Sequence, residues 1–300
     1  MLPEPAAGII RSGPLEGVRM RLLTFSLLFA FGVATPVAAQ IAPAAEEEIV
    51  VTAPSRELVQ QFVGEITAQP TGRTLARWDT GFCAGVVGMH RPHAQFIIDR
   101  ISETAIRLGL EPGESGCRPN VLIFMSEDAD TVARELAEDP RVKSPRNRYG
   151  NSRGCEALIA FAETPRPVRW WHLSRSVTGD GFEVARGNQV TVREMGRVRG
   201  TIRQDLSAAF VVIDASRVRG VPIGALADYV TMVTLAQLDP EAQVEGLPTI
   251  LNLFSPADAA SRPSGLTEWD MRYLDGLYNA IRTARDAARQ EEEIARRMRR

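Results

Sequence analysis

Apolar residues along the chain fall into short continuous runs, and helical repeats separate them. Runs of about four to eight apolar residues are typical of buried strands. Between the first two runs, Phe96, Ile97, Ile101 and Leu108 recur at the spacing of one helix face, and Gly109 follows as a helix end. Strands are predicted at residues 75–87, 121–125, 167–173 and 208–214. This alternation predicts an α+β fold with a mixed sheet and helices packed on it.

The most apolar stretch, 223–238, predicts a helix that is buried on nearly every side. Its few polar residues, Asp228, Thr231, Thr234 and Gln237, recur every three positions and therefore lie in one narrow stripe. Polar groups inside a core need hydrogen-bond partners. We therefore expect the stripe to form buried hydrogen bonds with neighbouring backbone.

Helical patterns also flank the central part of the chain. Ser55 has the side chain of an N-cap for a helix over 56–67. A further helix starts at Thr267 and can continue to the end, which predicts a long C-terminal helix. Beyond Arg282 the chain is almost wholly charged or alanine, as in a solvated tail. We expect a leader with an N-terminal helix at 40–74, a single α+β domain at 75–279, and a charged helical tail at 280–300.

Residues 20–39 have the three parts of a secretory signal peptide. A basic residue follows Met20, residues 22–34 form an apolar core, and Ala39 ends a run of small residues. The apolar core has thirteen residues, whereas spanning a membrane takes about 20. Residues 1–19 fit no part of a signal, so we interpret them as a spurious upstream segment. The mature protein is expected to be periplasmic or secreted after cleavage near Ala39.

Charge and composition argue against some classes of function. The chain has 44% hydrophobic and 24% charged residues, as ordinary globular proteins have. Its net charge of −2 gives no electrostatic case for binding nucleic acid. Lys143 is the single lysine among 35 basic residues, and the arginines are scattered along the chain. Only the arginine-rich end at 296–300 could contact an anionic surface such as the cell envelope.

Two of the three cysteines flank the first strand–helix–strand unit. In an oxidising compartment, Cys83 and Cys117 favour a disulfide. Closing a loop of this length would constrain the unfolded chain by about 4 kcal/mol. Cys155 is then left over. It could be a buried free thiol, or it could replace Cys83 as the partner of Cys117.

The three histidines offer little metal chemistry. His90 and His93 have the spacing of some metal sites, but Pro92 disfavours helical geometry at the residue before it. A loop at a helix start explains both histidines without a metal. His172 follows two tryptophans on a predicted strand, where a core-edge residue is expected rather than a catalytic base. The sequence also contains neither a G-x-S-x-G nucleophile elbow nor a phosphate-binding loop.

Three stretches of the chain carry a family resemblance. They are Thr-Ile-Leu-Asn-Leu-Phe at 249–254, the segment from Leu266-Thr267-Glu268-Trp269-Asp270 to Leu277-Tyr278, and Cys83 with Cys117-Arg118-Pro119-Asn120. With these stretches, residues 75–278 resemble a family of exported alphaproteobacterial proteins that contain a domain of unknown function and are often lipoprotein-like. The resemblance implies export.

In outline the order of elements also resembles the scaffold of zincin metallopeptidases, in which a buried active-site helix follows the sheet. Such a helix carries two histidines and a glutamate in H-E-x-x-H. Here Leu-Ala-Asp-Tyr-Val at 226–230 stands in that place, and no histidine follows His172. The resemblance therefore implies the scaffold without its catalytic residues.

These observations favour an exported, non-catalytic protein that uses a degenerate peptidase-like scaffold for binding, with no cofactor. One alternative is a metal-dependent hydrolase with ligands drawn from His90, His93 and His172 together with acidic residues. Another is an envelope-associated interaction protein that acts through its arginine-rich terminal helix. The sequence predicts a protein that does not span the membrane.

Overall fold

The computed structural model of the chain describes residues 55–68, 74–79, 81–143, 153–184, 200–256 and 262–300. All of them belong to one compact unit, Val51–Arg300. This unit is wider than the domain predicted at 75–279, because helices on both sides of that range pack into the same core. The predicted signal peptide and most of the leader lie outside the described residues.

The sheet of the described chain has four strands and is mixed, as the sequence predicts. The strands are β1 (Ala84–Val87), β2 (Val121–Ser126), β3 (Val168–Thr178) and β4 (Ile202–Asp214), in the spatial order β1-β2-β4-β3. β1 pairs with β2 and β2 with β4 in parallel, whereas β3 and β4 are antiparallel. Among the described residues before Ala84, the predicted first strand shows only isolated bridges: Arg77 bridges to Asp205, and Phe82 to Pro112.

The first two strands are joined by helix α2 (Arg91–Arg107), as parallel neighbours require a crossover connection. Pro92 lies in its first turn, where the missing N–H is no loss. The helix ends before Gly109, whose φ of +79° lies in the left-handed region that favours glycine.

Helices cover both faces of the sheet. Alternate residues of a strand point to opposite faces, so Val121 and Val211 face one core while Leu122 and Val212 face the other. The larger core also contains residues of α2 and of the helices α1 (Arg56–Ile66), α6 (Ile223–Leu235), α7 (Glu268–Asn279) and α8 (Ala287–Met298), together with the 3₁₀ turn Ile250–Phe254. The smaller core contains residues of α3 (Ala129–Glu138), α4 (Pro140–Lys143) and α5 (Cys155–Glu163).

The N-terminal helix is part of the core. The Ser55 side chain accepts a hydrogen bond from the Leu58 backbone N–H, which confirms it as the N-cap. The apolar face of α1 is fully buried, and Phe62 on it meets the ring of Trp269 with centroids 5.2 Å apart. This contact fixes α1 against α7.

The predicted C-terminal helix is divided into α7 and α8, and the predicted solvated tail is packed structure. Ile294 and Met298 of α8 are buried in the larger core. The Gln290 side chain accepts from the Leu75 N–H at 2.8 Å, and Glu293 accepts from the Ile281 N–H at 3.0 Å. The charged composition did not indicate this helix, because its buried face is narrow and includes polar residues such as Gln290 and Glu293.

Part of the predicted polar stripe forms buried hydrogen bonds, and it includes one ion pair that the sequence did not indicate. The hydroxyl of Thr234 has no hydrogen-bond partner among the described residues. Thr231 donates to the Ala227 carbonyl at 2.8 Å, the local backbone bond expected of the stripe. Asp228 instead accepts from two guanidinium nitrogens of Arg100 on α2 and from the Leu266 N–H at 2.8 Å. The stripe thus fastens α6 to its neighbours.

Cys83 and Cys117 are at disulfide distance, with their sulfur atoms 1.97 Å apart, as the sequence predicts. The bridge ties the residue before β1 to the loop that leads into β2. Cys155 remains free and is exposed, so the alternative in which it replaces Cys83 is not realised.

Candidate functional site: a cavity between α5 and β3

A cavity of about 310 Å³ opens beside the first residues of β3. β3 lies at one edge of the sheet, and Val168 pairs with Ile213 near the end of β4. The cavity therefore lies at the end of the sheet where the parallel strands finish, a common ligand position in proteins with parallel sheets. Its described lining consists of Phe161, Trp170, Trp171, Arg153, Arg166, Arg169, Glu156, Glu241, Ala157, Ala160 and Pro240. We call it the α5–β3 cavity.

The helical wall of the α5–β3 cavity carries small side chains. Ala157, Ala160 and Phe161 are three and four residues apart and share one face of α5. The two alanines are neighbours on that face, one turn apart, and their small side chains leave room between the helix and the sheet. Phe161 packs against Trp171, with ring centroids 6.1 Å apart.

The strand wall presents both neighbouring tryptophans. Trp171 belongs to the smaller core, with α3 and α5, whereas Trp170 belongs to the larger core. Trp170 donates its indole N–H to the Leu238 carbonyl at 3.1 Å and meets Tyr229 edge-on, with centroids 6.2 Å apart. Because β3 is an edge strand, residues from both of its faces line the same cavity.

Two buried N–H groups on the strand wall have no hydrogen-bond partner among the described residues. Arg169 is 2% exposed; its terminal nitrogens donate to Asp130 and, at 3.3 Å, to the Ala162 carbonyl, but Nε has no acceptor. Trp171 is 3% exposed, and its Nε1 also has no acceptor. Leaving a buried donor unpaired costs about 1–3 kcal/mol, and such groups are rare in native proteins. Both residues belong to the lining of the cavity.

The third wall is the segment with Pro240 and Glu241, and two arginines hold it in place. Arg166 donates to the Pro240 carbonyl at 2.6 Å and forms an ion pair with Glu241. Arg153 forms an ion pair with Asp239 at 2.8 Å. These bonds hold the segment that follows Leu238 against α5 and β3, so the cavity has three fixed walls.

The histidines predicted as low-ranking metal candidates lie elsewhere. His90 and His93 are exposed at the start of α2, with ring centroids 5.9 Å apart. His172 is buried on β3, and burial lowers its pKa from 6.5 to about 4, although a hydrogen bond with the Val233 backbone opposes the shift. Within the described ranges, no group of three His, Cys, Asp or Glu residues could hold a metal ion.

The sequence did not reveal the α5–β3 cavity. Its walls come from three separate stretches, and their proximity depends on the β3–β4 pairing. One signal was available: Arg169 directly precedes two tryptophans in the predicted strand. An arginine buried in a strand needs several acceptors, and this requirement marks the position.

The fold and the cavity together define an α+β domain with a cavity at the edge of its sheet. Compared with family models, curated proteins and solved structures, the chain matches none. Along the part of the chain that the structure describes, no helix is long and apolar enough to cross a membrane.

Proposed function

We propose that this protein is an exported, non-catalytic binding protein that holds a small ligand in the α5–β3 cavity. The observation that carries the proposal is the pair of buried, unpartnered donors, Arg169 Nε and Trp171 Nε1, on the wall of a cavity. The volume of about 310 Å³ lies at the lower end of the range for small-molecule sites, about 300–1,000 Å³.

Export is part of the proposal and has two supports. The sequence carries the signal-peptide pattern that ends at Ala39. The bridge between Cys83 and Cys117 is of the kind that persists in oxidising compartments. N-terminal sequencing of protein from the envelope fraction should begin at Gln40, and full-length chain in the cytoplasm would contradict export.

The binding role is supported by the chemistry of the lining. The described lining residues supply guanidinium, indole, phenyl and methyl groups, which suit holding a ligand. Of its two carboxylates, Glu241 is held by Arg166 and is 63% exposed at the side chain. A hydrolase that uses His90, His93 and His172 remains a hypothesis, and these histidines do not line the cavity.

The test is a fragment screen by ligand-observed NMR on three proteins. Ala157→Leu adds volume on the cavity face of α5. Ile159→Leu is the matched control, because Ile159 lies on the same helix, is 54% exposed and is not in the lining. Fragments should bind the unmodified protein and the control, and Ala157→Leu should abolish their binding while the protein stays folded by circular dichroism.

Fragments that bind all three proteins equally would contradict the proposal, as would a screen without hits. Should Ala157→Leu fail to fold, Ala160→Leu makes the same test from the next turn of α5.

A further inference from the structure

Resting on the binding function proposed above, we infer that the ligand of the α5–β3 cavity is a small carboxylate with an apolar, aromatic body. Two unpaired donors, Arg169 Nε and Trp171 Nε1, lie beside a surface of aromatic rings and methyl groups on Phe161, Trp170 and Ala160.

The head group must be an acceptor. A guanidinium and an indole N–H can only donate hydrogen bonds, so neither nitrogen can be satisfied by a ligand ammonium group, which also only donates. A carboxylate accepts through both oxygens, and hydrogen bonds with one charged partner are about twice as strong as neutral ones. One carboxylate can therefore accept hydrogen bonds from more than one donor.

The charges around the cavity favour an anion although each arginine already has an acidic partner. The arginines are the buried members of two of these pairs: Arg169 is 2% exposed against 48% for Asp130, and Arg166 is 27% exposed against 63% for Glu241. Water screens exposed charges much more strongly than buried ones. In these two pairs the arginine therefore acts on the cavity more strongly than its acidic partner does.

The same pairs argue for a single negative charge. A phosphate monoester carries up to two charges and three acceptor oxygens, which would exceed the two free donors. It would also bring a dianion close to Asp130 and Glu241. A monocarboxylate satisfies the donors with the least repulsion.

The remaining lining residues indicate the chemistry of the rest of the ligand, beyond its head group. Phe161 and Trp170 offer ring surfaces, and Ala157, Ala160 and Pro240 offer short apolar contacts. Aromatic pairs gain about 0.5–1.5 kcal/mol beyond the burial of their area, so a ring in the ligand is favoured over an aliphatic chain of similar size.

The inference is tested by isothermal titration with a matched pair of probes, 3-phenylpropionate and 3-phenylpropanamide. The two share the ring and the chain and differ in the charge of the head group. We expect the carboxylate to bind at least tenfold more tightly than the amide. A tripeptide that ends in phenylalanine, used as a third probe, separates a free acid from a peptide C-terminus, and we expect it to bind at least tenfold more weakly than the free acid.

Trp171→Phe removes one donor and keeps an aromatic ring. We expect it to reduce carboxylate affinity about tenfold and to leave amide affinity within about twofold. Trp269→Phe is the matched control, since Trp269 lies on α7 and is not in the lining. It should change neither affinity.

Three results would overturn the inference. The first is an amide, or 3-phenylpropylamine, that binds the unmodified protein as tightly as the carboxylate. The second is an equal loss of both affinities in Trp171→Phe, which would show that only ring packing matters. The third is that neither the acid nor the amide binds, while other fragments bind the unmodified protein and fail to bind Ala157→Leu. None of these three results contradicts the proposed binding function. That function would be contradicted if no ligand were found whose binding Ala157→Leu abolishes.

Discussion

The ion pair between Arg100 and Asp228 allows a sharp test of what the α6 stripe does. The Asp228 side chain is 2% exposed and is held by Arg100 and by the Leu266 N–H. Arg100→Ala would leave a buried carboxylate without its cation. Breaking a buried pair in this way costs about 3–5 kcal/mol of unfolding free energy. At about 2–4 °C per kcal/mol for a domain of this size, the melting temperature should fall by about 10 °C.

The reverse change should be milder. Asp228→Ala returns Arg100, whose side chain is 37% exposed, to solvent and leaves the Leu266 N–H without its acceptor. The unpaired N–H accounts for about 1–3 kcal/mol. Without the carboxylate, Arg100 has little left to stabilise, so the double variant should be no less stable than Arg100→Ala alone.

Chemical denaturation of the three variants measures this ranking. Arg107→Ala, an exposed arginine at the end of the same helix, is the matched control and should change stability by no more than about 0.5 kcal/mol. The reasoning fails if Arg100→Ala behaves like the control, or if Asp228→Ala is the more damaging of the two single changes.

Three further predictions concern stability. Reducing the Cys83–Cys117 bridge, which closes a loop of 34 residues, should lower the unfolding free energy by about 4 kcal/mol, and an unchanged denaturation midpoint would contradict this role. Burial lowers the pKa of His172 from 6.5 to about 4, so as the pH falls this histidine is protonated in the unfolded chain before it is protonated in the folded one. The unfolding free energy should therefore decline between about pH 6.5 and pH 4, by up to roughly 3 kcal/mol. His172→Gln should flatten that decline and exposed His90→Gln should not; equal pH profiles would refute the assignment. Ile294→Ala should cost about 2–5 kcal/mol, since Ile294 is fully buried, and a change within experimental error would restore the solvated-tail interpretation.

The sheet and several of its helices could be predicted because their signals are local. Short apolar runs located all four strands, and side chains such as Ser55 and Thr267 marked helix starts that the structure confirms. The prediction was poorer where a segment is held by distant partners. Residues 75–79 were predicted as the start of a strand, but Arg77 only bridges to Asp205, and Trp78 donates its indole N–H to the Thr234 carbonyl at 2.9 Å.

The α5–β3 cavity could not be predicted, because no short stretch of sequence contains it. Arg153, Arg169 and Glu241 come together only when α5 packs beside β3 and the chain after α6 returns to the same edge. The same limit applies to α8, where Ile294 and Met298 are buried but stand among charged residues and alanines in the sequence. The local spacing of apolar residues indicates which face of an element is buried. The residues that pack against that face depend on the tertiary structure.

A crystal structure of the mature protein with its tightest-binding fragment tests the central claim most directly. The account predicts electron density for the fragment between α5 and β3, with an acceptor atom within hydrogen-bond distance of Trp171 Nε1 or Arg169 Nε. Density for the fragment at any other site, for example against the arginines of α8, with the α5–β3 cavity holding only solvent, would contradict it.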